Sequence, residues 1–187
     1  LLTTLRPKNT ILLGSFSKTV APGLRIGWIY AEQSILDKLN LVKQATDLHT
    51  DTLAQQILYQ YLQDNDLDTH VKQVNACYRQ QRNIMIQALE TYMPPGVTFT
   101  RPQGGMFLWV TLPAGYSSMA LFELVIKEKV AFVPGTAFFV DGGGEACLRL
   151  NFSNADPERI ELGVQKISQA LLVNPKDWSC RLRLSQR

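Results

Sequence analysis

Two short apolar runs with a tight bend between them constrain this chain most. Thr10-Ile11-Leu12-Leu13 and Arg25-Ile26-Gly27-Trp28-Ile29-Tyr30 have the composition of buried strands. Between them lies Ala21-Pro22-Gly23-Leu24, which places proline where φ near −65° is wanted and glycine where φ must be positive. That is type II turn chemistry, so the chain is expected to double back. The connecting segment, Gly14-Ser15-Phe16-Ser17-Lys18-Thr19, then comes within reach of Arg25. Lys18 and Arg25 are the charged residues from Thr10 to Tyr30, and no carboxylate lies between them.

Two serine hydroxyls and a guanidinium that converge can hold an anion, because hydroxyls donate to phosphate oxygens and arginine adds a rigid, permanently charged fork. A lysine amine beside such a site can form an imine with an aldehyde, and pyridoxal 5′-phosphate carries both an aldehyde and a phosphate. The alternative takes each residue singly: Ser15 and Ser17 as turn residues, Lys18 as a solvated loop lysine, Arg25 as a surface strand residue. It is the joint pattern that favours the cofactor.

Gly14-Ser15-Phe16-Ser17-Lys18-Thr19 followed by Ala21-Pro22-Gly23-Leu24-Arg25-Ile26-Gly27-Trp28 resembles the signature of class I/II aminotransferases, fold type I enzymes that use pyridoxal phosphate. The likeness is greatest to the branch with 2-aminoadipate aminotransferase. It continues in family order through Pro102 to Trp109, Phe132 to Phe138 and Leu148 to Ser153, and covers nearly all of residues 10 to 173. The resemblance implies that Lys18 is the catalytic Schiff-base lysine, that Ser15, Ser17 and Arg25 bind the cofactor phosphate, and that Arg149 binds the substrate α-carboxylate. Arg149 also has a reading of its own. Cys147, Arg149 and Asn151 alternate with Leu148, Leu150 and Phe152, so the apolar three face a core and Arg149 faces a surface or cleft.

The fold implied is α/β: the back part of the pyridoxal-phosphate transferase fold, with the end of the large three-layer domain in residues 1–66, the small C-terminal α/β domain in 67–173, and a basic tail in 174–187. The lysine motif appears almost at once after Leu1, whereas in the resembled family it lies well past the middle. The expectation is therefore that a front half is missing. It would carry the aspartate on the pyridine nitrogen, the aromatic stacked on the ring, and the tyrosine and asparagine near O3′. The isolated chain is accordingly expected not to catalyse.

The periodicity predicts two helical stretches from about Ser34 to Leu62, interrupted near Asp47 to Asp51, then a long amphipathic helix through Val71, Met85 and Leu89 that stops at Pro94-Pro95-Gly96. Strands are expected at 97–100, 106–112 and 131–133, a helix near 118–129, and a last helix opened by Asp156-Pro157-Glu158. Gly104-Gly105 and Pro134-Gly135 read as turns, and Gly142-Gly143-Gly144 as a flexible connection. Trp109, Phe138 and Phe139 read as core.

The formal net charge of +3 sits in the tail, where Lys176, Arg181, Arg183 and Arg187 face Asp177 alone. Residues 1–173 hold fifteen basic and fifteen acidic side chains, without the basic stripe a nucleic-acid duplex demands. Cys77, Cys147 and Cys180 are odd in number and far apart, and with His49 and His70 they form no metal-ligand spacing. No apolar run reaches the roughly 20 residues of a membrane span, so a cytoplasmic location is expected. The resemblance adds amino acid and 2-oxo acid substrates and a homodimer, with His49 and Thr50 as candidates for its interface. Two rivals stay open: the aminotransferase-like effector domain of a GntR/MocR-type transcription regulator, and a lyase of the same fold.

Overall fold

The computed structural model describes residues 10–172. The expectations for the 174–187 tail, and Cys180 with it, lie outside them. The chain divides into two compact units, one up to Gln73 and one from Val74. The division falls inside a single long helix.

In the first unit, β1 (Leu12–Ser15) and β2 (Gly27–Tyr30) pair antiparallel with Gly14 opposite Trp28 and Ser15 opposite Gly27, so the chain does double back. The bend differs from the expected type II turn. Pro22–Leu24 forms a one-turn 3-10 helix, Gly23 keeps a negative φ, and Arg25 takes the left-handed conformation instead (φ 54°, ψ 36°). Proline is favourable at the first position of a helical turn because its fixed φ is already helical. The positive φ therefore moves to the residue that closes the turn. Both strands are also more open than their composition suggests: Leu13 is 69% and Ile29 45% exposed.

Helices α1 (Gln33–Asp47) and α2 (Thr52–Asp64) follow as the periodicity predicts. The Asp51 carboxylate opens α2 by accepting from the Ala54 amide at 2.6 Å. Ala54 and Leu58 of α2 make a small core with Ile26, against which Phe16, Val20 and Leu24 pack. The lysine loop is thus seated on α2 through its apolar residues. The long helix α3 (Leu67–Tyr92) begins after Asp66, whose carboxylate accepts from the Thr69 hydroxyl and the Asp68 amide. Those bonds, the Thr69 one foremost, hold its carboxyl below the usual aspartate range.

In the second unit, β3 (Thr98–Phe99), β4 (Phe107–Thr111), β5 (Val133–Pro134) and β6 (Cys147–Asn151) form an antiparallel sheet of order β3-β4-β6-β5. The predicted helix near 118–129 is α4 (Ser118–Val125) followed by a 3-10 turn, and the last is α5 (Pro157–Leu172). Asp156 caps α5 by accepting from the Arg159 amide at 2.8 Å. One face of the sheet, with Leu108 and Val110 from β4 and Leu148 and Leu150 from β6, packs against Leu89 of α3, Leu121 of α4 and Val164 of α5. Leu148, Leu150 and Phe152 are buried as their alternation requires.

Trp109, Phe138 and Phe139 depart from the core reading. Trp109 is half-buried on the opposite face of the sheet, and Phe138 and Phe139 are 43% and 44% exposed. Phe107 and Trp109 have the parity of Arg149's face, not of Leu108 and Val110. Gly142, Gly143 and Gly144 all take positive φ, and a Cβ at Gly144 would lie 2.5 Å from the Phe139 ring. The run is a close fold against Phe139 that side chains would obstruct.

Candidate active site

The lysine loop runs from the end of β1 to the start of β2. The Phe16 amide donates to the Ile26 carbonyl at 3.1 Å, and the Phe16 carbonyl accepts from the amides of Val20 and Ala21 at 2.8 and 3.1 Å. Lys18 sits within this closed turn, and its side chain is exposed. Among the described residues nothing pairs with its ammonium.

The phosphate candidates are linked in a chain. The Ser17 amide donates to Ser15 Oγ at 3.1 Å, Arg25 Nη1 donates to Ser17 Oγ at a long 3.4 Å, and the same Nη1 donates to the Pro22 carbonyl at 3.1 Å. The structure therefore brings Ser15, Ser17 and Arg25 together. Because each serine oxygen accepts in these bonds, each hydroxyl proton remains to be donated elsewhere. Arg25 Nη2 and Nε also have no partner among the described residues. A left-handed arginine costs on the order of 1 kcal/mol, and here that conformation turns the guanidinium back over its own turn. These donors and two cations, with no carboxylate paired to them among the described residues, make the loop a candidate anion site.

Gly14 has a steric role. It faces Trp28 across the strand pair, and a Cβ there would lie 2.0 Å from the indole. Gly14→Ala is expected to displace Trp28 and lower the stability of the complete protein by about 1–3 kcal/mol, the usual cost of overpacking. A thermal midpoint equal to the wild type would show that the indole moves freely.

Arg149 lies in the second unit, on β6 opposite Trp109 of β4 and Val133 of β5. Its Cζ sits 4.0 Å from the centre of the Phe107 ring and 4.6 Å from that of Phe138. Its Nε is buried without a hydrogen-bond partner. No carboxylate pairs with it among the described residues. Ahead of β4, the Gly104-Gly105 turn has Gly105 at φ 79° and open space beside both Cα atoms, while Arg82 Nη1 donates to the Pro102 carbonyl at 3.0 Å. Phe138 reads as core from sequence, and Phe107 carries no site role there. The period-two alternation that placed Arg149 on the second face would have found Phe107 as well.

Among the described residues, no carboxylate forms an ion pair with the lysine loop of this α/β chain or with its strand arginine. The family model for "Aminotransferase class I and II" matches residues 2–167. The chain belongs to that family. The aromatic-amino-acid aminotransferase 1 of Thermococcus litoralis is 42% identical over 163 residues, 87% of this chain and 39% of the relative. The crystal structure of LysN, an α-aminoadipate aminotransferase from Thermus thermophilus complexed with N-(5′-phosphopyridoxyl)-L-leucine, superposes with a TM-score of 0.82 at 43% identity. It covers 86% of this chain and 41% of the LysN chain. The HTH-type transcriptional regulator NorG of Staphylococcus aureus is 32% identical over 160 residues, 36% of its length. The chain thus spans about two fifths of the curated relatives it matches. The fold is that of the fold type I aminotransferases over this portion, and the regulator is the more distant likeness.

Proposed function

We propose that this chain is the lysine-bearing part of a pyridoxal 5′-phosphate-dependent aminotransferase, which moves an amino group between an amino acid and a 2-oxo acid. The observation that carries the reading is the set of donors at Ser15 Oγ, Ser17 Oγ and Arg25 Nη2 left without a partner among the described residues, in and beside the loop that bears Lys18. The set suits a phosphate monoester, whose oxygens are acceptors and whose charge matches the two cations. Pyridoxal phosphate, when bound, supplies an aldehyde carbon to the lysine amine and a ring that takes up the electron pair of the substrate Cα–H bond.

Ser15 and Ser17 would donate their hydroxyl protons to the phosphate, and Arg25 would add its free Nη2. Lys18 would hold the cofactor covalently through its aldehyde carbon, with water as the leaving group, and its amine, when free, would be the base for the substrate Cα proton. Arg149 would donate from its two terminal nitrogens to the oxygens of the α-carboxylate, a planar match an ammonium lacks. The absence of a carboxylate partner for it among the described residues favours that role, since none of these competes for the charge.

The division of the chain into an end of the large domain, residues 1–66, and a small domain, 67–173, belongs to the same reading, as do a homodimer and a cytoplasmic location. Leu41, Val42, Leu48 and Leu53 are exposed on α1, on α2 and at their junction, next to His49 and Thr50, which supports an association surface there. Among the described residues no helix is long and apolar enough to cross a membrane.

The test is an amine-transfer assay of the complete protein with a panel of amino acids against 2-oxoglutarate. Stoichiometric formation of the matching oxo acid and glutamate is expected. Cofactor binding with no transfer to any oxo acid would favour the regulator, and product formed without an oxo acid acceptor would favour the lyase.

A further inference from the structure

Most arginines in a folded chain meet a carboxylate or a carbonyl, and Arg149 meets two phenyl rings. Phe107 comes from β4 and Phe138 from the turn after β5, so the rings approach the guanidinium from different parts of the unit. Both distances, 4.0 and 4.6 Å from Cζ to ring centre, lie within the roughly 6 Å over which a ring face attracts a cation. The Phe138 ring is itself braced. Trp109 meets Phe138 edge-on at 5.3 Å and lies tilted to Phe139 at 6.2 Å, and Gly144 leaves room for the Phe139 ring.

The consequence for Arg149 is particular. An acidic partner would fix the side chain but also neutralise it, and a ligand carboxylate would have to displace that partner. Ring faces hold the cation without offering an acceptor. Nε is buried and goes without a hydrogen bond, so the inner edge of the guanidinium is enclosed while its terminal nitrogens remain unpaired among the described residues. A plane held by rings has little freedom to pivot, so less ordering is needed when a carboxylate binds.

We infer that Phe107 and Phe138 are positioning residues: they hold Arg149 in a fixed plane with its charge unspent, and so set the affinity for the substrate carboxylate. This rests on the reading of Arg149 as the carboxylate ligand. Phe107 and Phe138 do not themselves touch the reacting atoms in this scheme.

The experiment uses the complete protein loaded with pyridoxal phosphate and 2-oxoglutarate as the probe. In that form the enzyme has no amino group to give, so calorimetry measures binding without turnover. Phe107→Leu and Phe138→Leu keep apolar bulk and remove the ring face, whereas Phe107→Tyr and Phe138→Tyr keep the face. Each leucine variant is expected to weaken 2-oxoglutarate binding by ~10-fold, a loss in the range of one desolvated ring–cation contact. It should raise KM for amino acid by a larger factor than it lowers kcat, while the tyrosine variants recover most of the loss. Phe138 is substantially exposed, so its leucine variant carries the test if Phe107→Leu does not fold.

Leucine variants that bind the probe as tightly as the wild type would overturn the inference, and so would tyrosine variants that lose as much as leucine. Arg149→Ala separates the two levels. If it weakens the probe while both leucine variants do not, Arg149 keeps its role and the rings lose theirs. If Arg149→Ala itself leaves binding intact, the carboxylate reading falls and the ring proposal with it.

Discussion

Replacing Lys18 by alanine in the complete protein is expected to lower kcat for amine transfer by at least ~10³-fold, since it removes both the covalent anchor and a proton-transferring base of a kind worth 10²–10⁴ alone. Absorbance steady-state spectra should lose the visible band that reports a cofactor joined to the lysine. Cofactor affinity should fall less than turnover, because the donors of Ser15, Ser17 and Arg25 survive the change. Lys18→Arg separates charge from amine chemistry. The guanidinium stays protonated at any working pH, so this variant should be as inactive as alanine despite its charge. Normal turnover by either variant would remove the central assignment.

Arg149→Ala is the second large effect. Losing one side of an enclosed, hydrogen-bonded charge pair costs about 2–5 kcal/mol, and each 1.4 kcal/mol is tenfold, so kcat/KM should fall by roughly 30- to 4,000-fold for amino acid and for oxo acid alike. Cofactor affinity should hold. Arg149→Lys keeps a charge but offers a compact point in place of a fork, and should fall between the two. Rate measurements with both substrates, beside a cofactor titration, check the pattern. Weakened cofactor with unaffected substrate would place Arg149 with the wrong ligand.

Much of the fold can be read without coordinates because its signals are local. Leu148, Leu150 and Phe152 alternate with Arg149 in the chain and on the sheet. Asp156 before Pro157 marks the start of α5 and caps it, and Pro94-Pro95-Gly96 stops α3 at Tyr92. The approach of Arg25 to Ser17 is also legible, since a bend between two strands brings their ends together. The form of that bend is not. Gly23 is free to take positive φ, yet the turn closes as a 3-10 helix and the strain falls on Arg25, a choice made jointly by proline geometry and the Pro22 carbonyl.

Aromatic residues mark the boundary of what sequence can say here. Phe107, Trp109 and Phe138 are apolar and large, which favours a core, but a sheet has two faces and composition does not say which one helices cover. The helices take the Leu108 and Leu148 side. The aromatics are left with Arg149.

The sequence alone determined a lysine and an arginine in one loop-and-strand segment without an acid, the parity of Arg149, and the stops and caps of α3 and α5. Each of these depends on residues within a turn or a strand of one another. Tertiary structure decided what Arg149 touches and what supports the lysine loop, because strand register and helix packing bring together residues far apart in the chain: Phe107 and Phe138 to Arg149, Ala54 and Leu58 to Ile26. Side-chain periodicity specifies which way a residue faces, and only the packed chain specifies what it meets there.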